Sequence, residues 1–99
     1  MLTTMQKPAH KLTLDFISDD GHGWLRISKA ALRLLKIESE ISPYSYQRGD
    51  LAYLEEDCDA PVCIRALKNW GFEAEFNEIY HKGLSPIRSY SRYMGPDWK

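Results

Sequence analysis

Five short stretches of the chain alternate between apolar and polar residues, which is the pattern of strands with one buried face. They are residues 11–16, 24–27, 44–47, 50–54 and 72–77. The first places Leu12, Leu14 and Phe16 on one face, and the last places Phe72, Ala74 and Phe76 on one face. Those two faces are predicted to be core.

A first helix is predicted over residues 29–36. Ser28 can cap its first turn, because a serine hydroxyl accepts a hydrogen bond from a first-turn amide. Ala31, Leu34 and Leu35 follow the spacing of a buried stripe, so we expect them to pack against the sheet.

A second helix is predicted between Asp59 and Gly71. Asp59 is the expected N-cap, Pro61 falls in the first turn, and Gly71 is placed to end the helix with a left-handed backbone. The stripe predicted to be buried consists of Cys63, Ala66, Leu67 and Trp70.

The order of these elements, β-β-α-β-β-α-β, predicts an α+β fold. Its simplest closed form is a two-layer domain, a mainly antiparallel sheet of about five strands with two helices packed on one face. Ninety-nine residues suit one hydrophobic core, so residues 1–99 are predicted to form a single domain. The ends, 1–10 and 94–99, are expected to be flexible, and residues 87–90 could add a short strand.

A hairpin in the middle of the chain carries Tyr44, Tyr46 and Tyr53. A two-residue turn at Arg48 and Gly49 would set Tyr46 opposite Leu51 and Tyr44 opposite Tyr53, all on one face. The other face would hold small or aliphatic side chains, namely Ser45, Ala52 and Leu54. The tyrosine face is then either a second packing surface or open to a partner.

Composition narrows the class of protein. The chain is 43% hydrophobic and 27% charged, which is ordinary for a folded domain, and its net charge of −1 gives no bulk attraction to nucleic acid or anionic membranes. The apolar stretches are too short to span a membrane, so we expect a cytoplasmic protein with no membrane partner. Cys58 and Cys63 are predicted to be free thiols.

Candidates for chemistry are few, and no cofactor or metal is expected. The acidic corner, Glu55 to Asp59, could bind a divalent ion, but acids at a helix start are explained by the helix dipole and capping. His22 lies between two glycines, where a turn needs the same residues for backbone reasons. Acidic neighbours should raise the pKa of the Cys58 thiol, which disfavours a nucleophile.

Two binding hypotheses remain. In the favoured one, a protein partner binds a tyrosine face with the acidic corner. The residues of this predicted site are Tyr44, Tyr46, Tyr53, Glu55, Glu56 and Asp57. In the alternative, the C-terminal segment binds nucleic acid through Arg88, Tyr90, Arg92 and Tyr93. Each has a structural explanation: the tyrosines could form a second core, and the C-terminal segment could cover a sheet edge.

Four segments together resemble a family of small, largely uncharacterised accessory proteins of bacteriophages, plasmids and other mobile elements. They are GHGWL at 21–25, ISPYSY at 41–46, YLEEDCDA at 53–60 and PIRSY at 86–90. The resemblance implies a bacterial host cell and a host or defence-system protein as partner, with a counter-defence role such as anti-CRISPR activity. It transfers no catalytic residue.

An enzyme is the less favoured class. No phosphate-binding loop, nucleophile elbow or paired Cys-x-x-Cys motif is present in the sequence. A second alternative, a small hydrolase or metal-dependent enzyme, would have to be built from His22 and the acidic corner.

Overall fold

The computed structural model describes residues 10–96, and one mixed sheet dominates them. The strands are β1 (His10–Ser18), β2 (Gly23–Ser28), β3 (Tyr46–Arg48), β4 (Leu51–Glu55), β5 (Phe72–Tyr80) and β6 (Ser91–Arg92). The helices are α1 (Lys29–Leu34) and α2 (Ala60–Asn69), and a 3-10 turn covers Pro86–Ser89. The predicted flexible ends, 1–10 and 94–99, fall largely outside the described residues.

The strand order is β5-β1-β2-β4-β3-β6. All neighbouring pairs are antiparallel except β1 and β5, which run parallel over nine residue pairs from His10·Phe72 to Ser18·Tyr80. Helix α2 makes the crossover that this parallel pair requires, because it leads from β4, near the middle of the sheet, to β5 at the edge. The predicted α+β class is confirmed, with one more strand than expected.

Both helices pack on the same face of the sheet and enclose the main core. The sheet contributes Leu25, Ile27 and Leu54, and the helices contribute Leu32, Cys63 and Leu67, all at most 4% exposed. The predicted strand residues Leu12, Leu14 and Phe16 pack against this cluster. Within residues 10–96, neither helix has the length and apolar character that a membrane-spanning helix needs.

Three of the residues predicted at helix ends act as expected, whereas α1 ends at Leu34, two residues earlier than predicted. The Ser28 hydroxyl accepts a hydrogen bond from the Ala31 amide at 3.0 Å, and Gly71 has a left-handed φ of 93° where α2 ends. Pro61 lies in the first turn of α2, as expected.

Three residues predicted to be core are exposed instead. Leu34 is 73% exposed, and Leu32 takes the buried position, because α1 has only six residues and presents a different side to the sheet. Trp70 is 57% exposed because it lies past the last residue of α2. Phe76 is 42% exposed because β5 is the edge strand and the helices cover only its first half.

A second, smaller core lies on the opposite face of the sheet. Ile17, Trp24 and Tyr53 are buried there beneath Ile87 of the 3-10 turn. The strand predicted at 87–90 is therefore wrong: Ser85 caps a 3-10 turn by accepting a hydrogen bond from the Ile87 amide at 3.1 Å. The strand in this segment is β6, which follows the turn and covers the edge of β3.

The central hairpin turns one residue later than predicted. Tyr46 pairs with Tyr53 and Arg48 with Leu51, so the turn consists of Gly49 and Asp50. Moving the turn by one residue shifts each cross-strand partner by two; Tyr46, for example, faces Tyr53 instead of Leu51. Because side chains alternate with a period of two, every side chain stays on its predicted face. Tyr46, Leu51 and Tyr53 therefore share the face of the second core.

Candidate functional site

An open groove of about 300 Å³ lies on the face of the second core. We call it the aromatic groove. It is lined by His22, Trp24, Tyr44, Tyr46, Glu55, Asp57, Cys58, Arg88 and Arg92. Aromatic rings, carboxylates and guanidinium groups thus meet at one opening.

Strand register places the aromatic and acidic walls. Trp24 of β2 is paired with Glu55 of β4, so their side chains leave the sheet on the same face. Trp24 contacts the Tyr46 ring edge-on, with 6.3 Å between ring centroids. Tyr44 lies just before β3 and is 65% exposed. The groove therefore has a fixed floor and one freely accessible tyrosine.

The guanidinium groups of the groove are engaged by the protein itself. Arg92 stacks over the Tyr46 ring at 4.7 Å and donates to the Pro43 carbonyl oxygen at 3.3 Å. Arg88 lies 5.7 Å from the Trp24 ring centroid and is held by Asp19. These arginines support the aromatic floor.

Asp19 is the anchor of this arrangement. Its carboxylate, with the side chain fully buried, accepts from Arg88 Nε at 2.7 Å and Nη2 at 2.8 Å. It also accepts from the amides of Ser85 at 2.8 Å and of Gly21 and His22, each at 2.9 Å. The hydrogen bond from Arg88 is the largest cause that holds the pKa of Asp19 well below its usual range.

Asp59 has a different role from the one predicted. Its side chain makes no capping hydrogen bond to α2. Its carboxylate instead accepts from the Ser42 amide at 3.1 Å, from the Ser42 hydroxyl at 2.7 Å and from the Ser45 hydroxyl. The Ser45 oxygen in turn accepts from the Glu55 amide at 2.9 Å. Asp59 therefore fixes the segment that carries Tyr44 to the end of β4.

The acidic corner is a turn stabilised by Glu55. One oxygen of its carboxylate accepts from the amides of Asp57 at 2.9 Å and Cys58 at 2.8 Å. Local desolvation and the hydrogen bond with Glu55 raise the pKa of the Cys58 thiol. Burial raises the pKa of Cys63 to about 12. Both cysteines are free, and both pKa shifts favour the protonated thiol.

The structure brings His22 to the acidic corner. Ligand atoms of His22, Glu55 and Glu56 lie within 4.8 Å of one another. The Glu56 amide donates to the Gly23 carbonyl at 3.1 Å, which ties the first turn to the end of β4. An imidazole nitrogen and two carboxylates suit a first-row divalent ion such as Zn²⁺.

The residues of the favoured binding site do not all remain accessible. Tyr44, Tyr46, Glu55 and Asp57 line the groove, and Glu56 lies beside it. Tyr53 is only 5% exposed, with its ring 5.1 Å from that of Tyr90. The explanation of a second core therefore applies to Tyr53, and its assignment to a binding surface stays a prediction.

The residues of the nucleic-acid alternative are spread over different environments. Arg88 is paired with Asp19, and Tyr93 is buried with its hydroxyl donating to the Glu38 carbonyl at 2.6 Å. Tyr90 is half-buried beneath Arg48, and Arg92 lies over Tyr46. They do not form one exposed basic stripe.

The sequence did not point to Trp24 and Arg92 as groove residues. The signal for Trp24 was its alternating position on β2, which matches the tyrosine face once β2 is paired with β4. Arg92 had no such signal, because its place depends on β6 pairing with β3. No protein-family model, curated protein or solved structure matches this chain.

Proposed function

We propose that this chain is a non-enzymatic protein-binding module and that the aromatic groove receives the partner. The observation that carries the proposal is that Tyr44, Tyr46, Glu55 and Asp57 line one open groove. Tyrosine gives a large contact area at low entropic cost, and a rigid floor limits the ordering needed on binding. The groove thus offers an anchor point of the type that dominates binding energy.

The charges of the groove suggest what the partner presents. Arg88 is neutralised by Asp19, and Arg92 is engaged by a ring and a carbonyl. Glu55, Glu56 and Asp57 form no ion pair among the described residues. A partner surface with a basic side chain beside an apolar contact would complement both walls.

The biological setting is a separate part of the proposal. We propose that the partner is a host or defence-system protein of a bacterial cell, and that binding inhibits it, as an anti-CRISPR inhibitor would. The support for this setting is the sequence resemblance to accessory proteins of phages and other mobile elements.

Tyr44→Ala should abolish capture of a discrete partner from a bacterial lysate. With the purified partner, the change should raise Kd by about tenfold or more, the usual effect of truncating an interface anchor. The matched control is Leu84→Ala, because Leu84 is 71% exposed against 65% for Tyr44, does not line the groove and lies outside β5. An equal loss of partner binding with both variants, or no loss of binding with Tyr44→Ala, would contradict the choice of the groove as the binding surface.

A second candidate, metal-dependent hydrolysis, is favoured by the group formed by His22, Glu55 and Glu56. A bound Zn²⁺ would activate water for hydrolysis. In tetrahedral coordination with bond lengths of about 2.0–2.1 Å, ligand atoms lie about 3.3–3.4 Å apart. The three ligand atoms lie within 4.8 Å of one another, so the side chains would have to close by up to about 1.5 Å to hold the ion. His22 and Glu55 also line the groove, so a substrate could approach the ion.

Zn²⁺ should raise the melting temperature if this group binds the metal. At 100 times Kd, the added stability would be about 2.7 kcal/mol. The experiment uses Cys58→Ser protein, because the exposed thiol is a competing ligand. His22→Ala should remove the shift, and His81→Ala, which changes an exposed histidine outside the group, should retain it. A shift that survives His22→Ala would rule out this metal site.

A further inference from the structure

The two edges of the sheet differ sharply. One edge is β6, which has only two residues. The other is β5, a nine-residue strand that pairs with β1 along its whole length without a bulge. Strand β5 contains no proline and no lysine, two of the residues that natural proteins use to blunt an edge, and its charged residues are Glu73, Glu75 and Glu78. Within residues 10–96, this long edge has no neighbour on its outer side.

The outward backbone groups of β5 belong to alternate residues. The amide of His10 donates to the Gly71 carbonyl, and the amide of His81 donates to the Ser18 carbonyl. In a parallel ladder, the odd-numbered residues of β5 therefore face β1, and the even-numbered residues direct their amide and carbonyl groups outward. The outward set consists of Phe72, Ala74, Phe76, Glu78 and Tyr80.

Apolar side chains accompany this open edge. Phe76 is 42% exposed, Ile79 is 39% exposed and Tyr80 is 63% exposed. Phe76 contacts Phe16 of β1 edge-on at 6.4 Å, so the row of rings that begins in the core reaches the outer edge of the sheet. An edge of this length with exposed apolar residues favours pairing with another strand.

We propose that the β5 edge is a self-association surface, at which β5 of a second copy pairs antiparallel about a twofold axis through Phe76. Phe76 is the middle residue of β5, so only this register overlaps all nine residues of both strands. It places Phe76 opposite Phe76, Ala74 opposite Glu78 and Phe72 opposite Tyr80. All five outward residues then form hydrogen-bonded pairs.

The acidic residues of β5 are compatible with this register. Glu75 lies opposite Asn77, and Glu73 lies opposite Ile79, so no carboxylate faces another. A shift that centres the axis on Glu75 would set two glutamates directly opposite, which is destabilising. The nearest acids in the proposed register are the two Glu75 side chains, on a diagonal of about 7–8 Å. Each is paired with its own Lys11 at 3.4 Å.

Sedimentation velocity over a range of concentrations tests the proposal. Wild type should form a dimer, twice the chain mass of 11.5 kDa. Phe76→Glu places two carboxylates opposite each other on the axis, and we expect the dissociation constant of the dimer to rise at least about tenfold. Tyr44→Ala, in the groove, should leave the dimer unchanged. A wild-type monomer at all concentrations would overturn the proposal.

Cysteine cross-linking tests the register and does not depend on Phe76→Glu being folded. In a Cys58→Ser background, Phe76→Cys should give a covalent dimer on oxidation, because facing residues of a hydrogen-bonded pair have Cα atoms about 5.5 Å apart. Ala74→Cys should not, because it faces Glu78 of the second copy. Equal cross-linking of both variants, or none with Phe76→Cys, would refute this pairing.

Discussion

Asp19→Ala is expected to lower the free energy of unfolding by about 3 kcal/mol. The change removes a buried acceptor of five hydrogen bonds and leaves Arg88 and three amides without their partner. The estimate lies at the low end for a broken buried pair because the Arg88 side chain is 30% exposed and keeps part of its hydration. Urea denaturation followed by circular dichroism measures the loss.

A double-mutant cycle separates this pair from general surface effects. Arg88→Ala should destabilise the wild type but add little in Asp19→Ala protein, because the pair is already broken. Glu75→Ala removes the exposed ion pair with Lys11 and should cost less than about 1 kcal/mol. Strict additivity of Asp19→Ala and Arg88→Ala would show that the pair does not act as described.

The same carboxylate makes stability depend on pH. Its pKa in the folded chain lies below the ordinary aspartate value of 3.8, so the folded state binds fewer protons than the unfolded state near that pH. The contribution of Asp19 is therefore fully present above pH 3.8 and declines as the pH falls below it. The difference in free energy of unfolding between wild type and Asp19→Ala should therefore become smaller as the pH is lowered. If this stability difference stayed constant between about pH 6 and about pH 3, the account would be contradicted.

Asp59→Ala should cost about 2 kcal/mol, because buried donors lose their acceptor. The donors are the Ser42 amide and the hydroxyls of Ser42 and Ser45, and Asp59 itself is 2% exposed. Thermal unfolding should show the loss. Hydrogen exchange should also rise at the Glu55 amide, since Ser45, which accepts from it, is no longer fixed.

Asp57→Ala is the matched control for Asp59→Ala. Asp57 is an exposed acid two residues away in the same turn, and it should change stability by less than about 0.5 kcal/mol. If the two variants had equal effects, Asp59 would act only through its charge near α2. The network with Ser42 and Ser45 would then have no separate contribution.

Alternation predicted the strands well, and three of the four residues expected at helix ends act as predicted, because those signals are local; Asp59 is the exception. Ser28, Pro61 and Gly71 act where their backbone chemistry requires. The choice between Leu32 and Leu34 was wrong because a helix of under two turns gives too few positions to define its buried side. Periodicity fixes a face only over a longer stretch.

The pairing of strands that are far apart in the chain could not be predicted from the sequence. The parallel partnership of β1 and β5 joins residues 62 apart, and nothing local in either strand indicates it. The burial of Tyr53 depends on Ile87 and Tyr90, which lie in and at the end of a 3-10 turn where the sequence suggests only a possible short strand. The groove residues on β4 could be predicted from alternation, whereas its arginine wall required the position of β6.

The ion pair between Asp19 and Arg88 can form only late in synthesis of the chain. Asp19 is separated from Arg88 by 69 positions, so its carboxylate emerges during synthesis long before its partner. Until residues 85–93 follow, Trp24 and Tyr53 lack the cover of Ile87 and Tyr90 on their face of the sheet. Contacts of this span slow folding because a long loop must close first. The nascent chain therefore exposes aromatic surface to which chaperones can bind and through which it can misassemble.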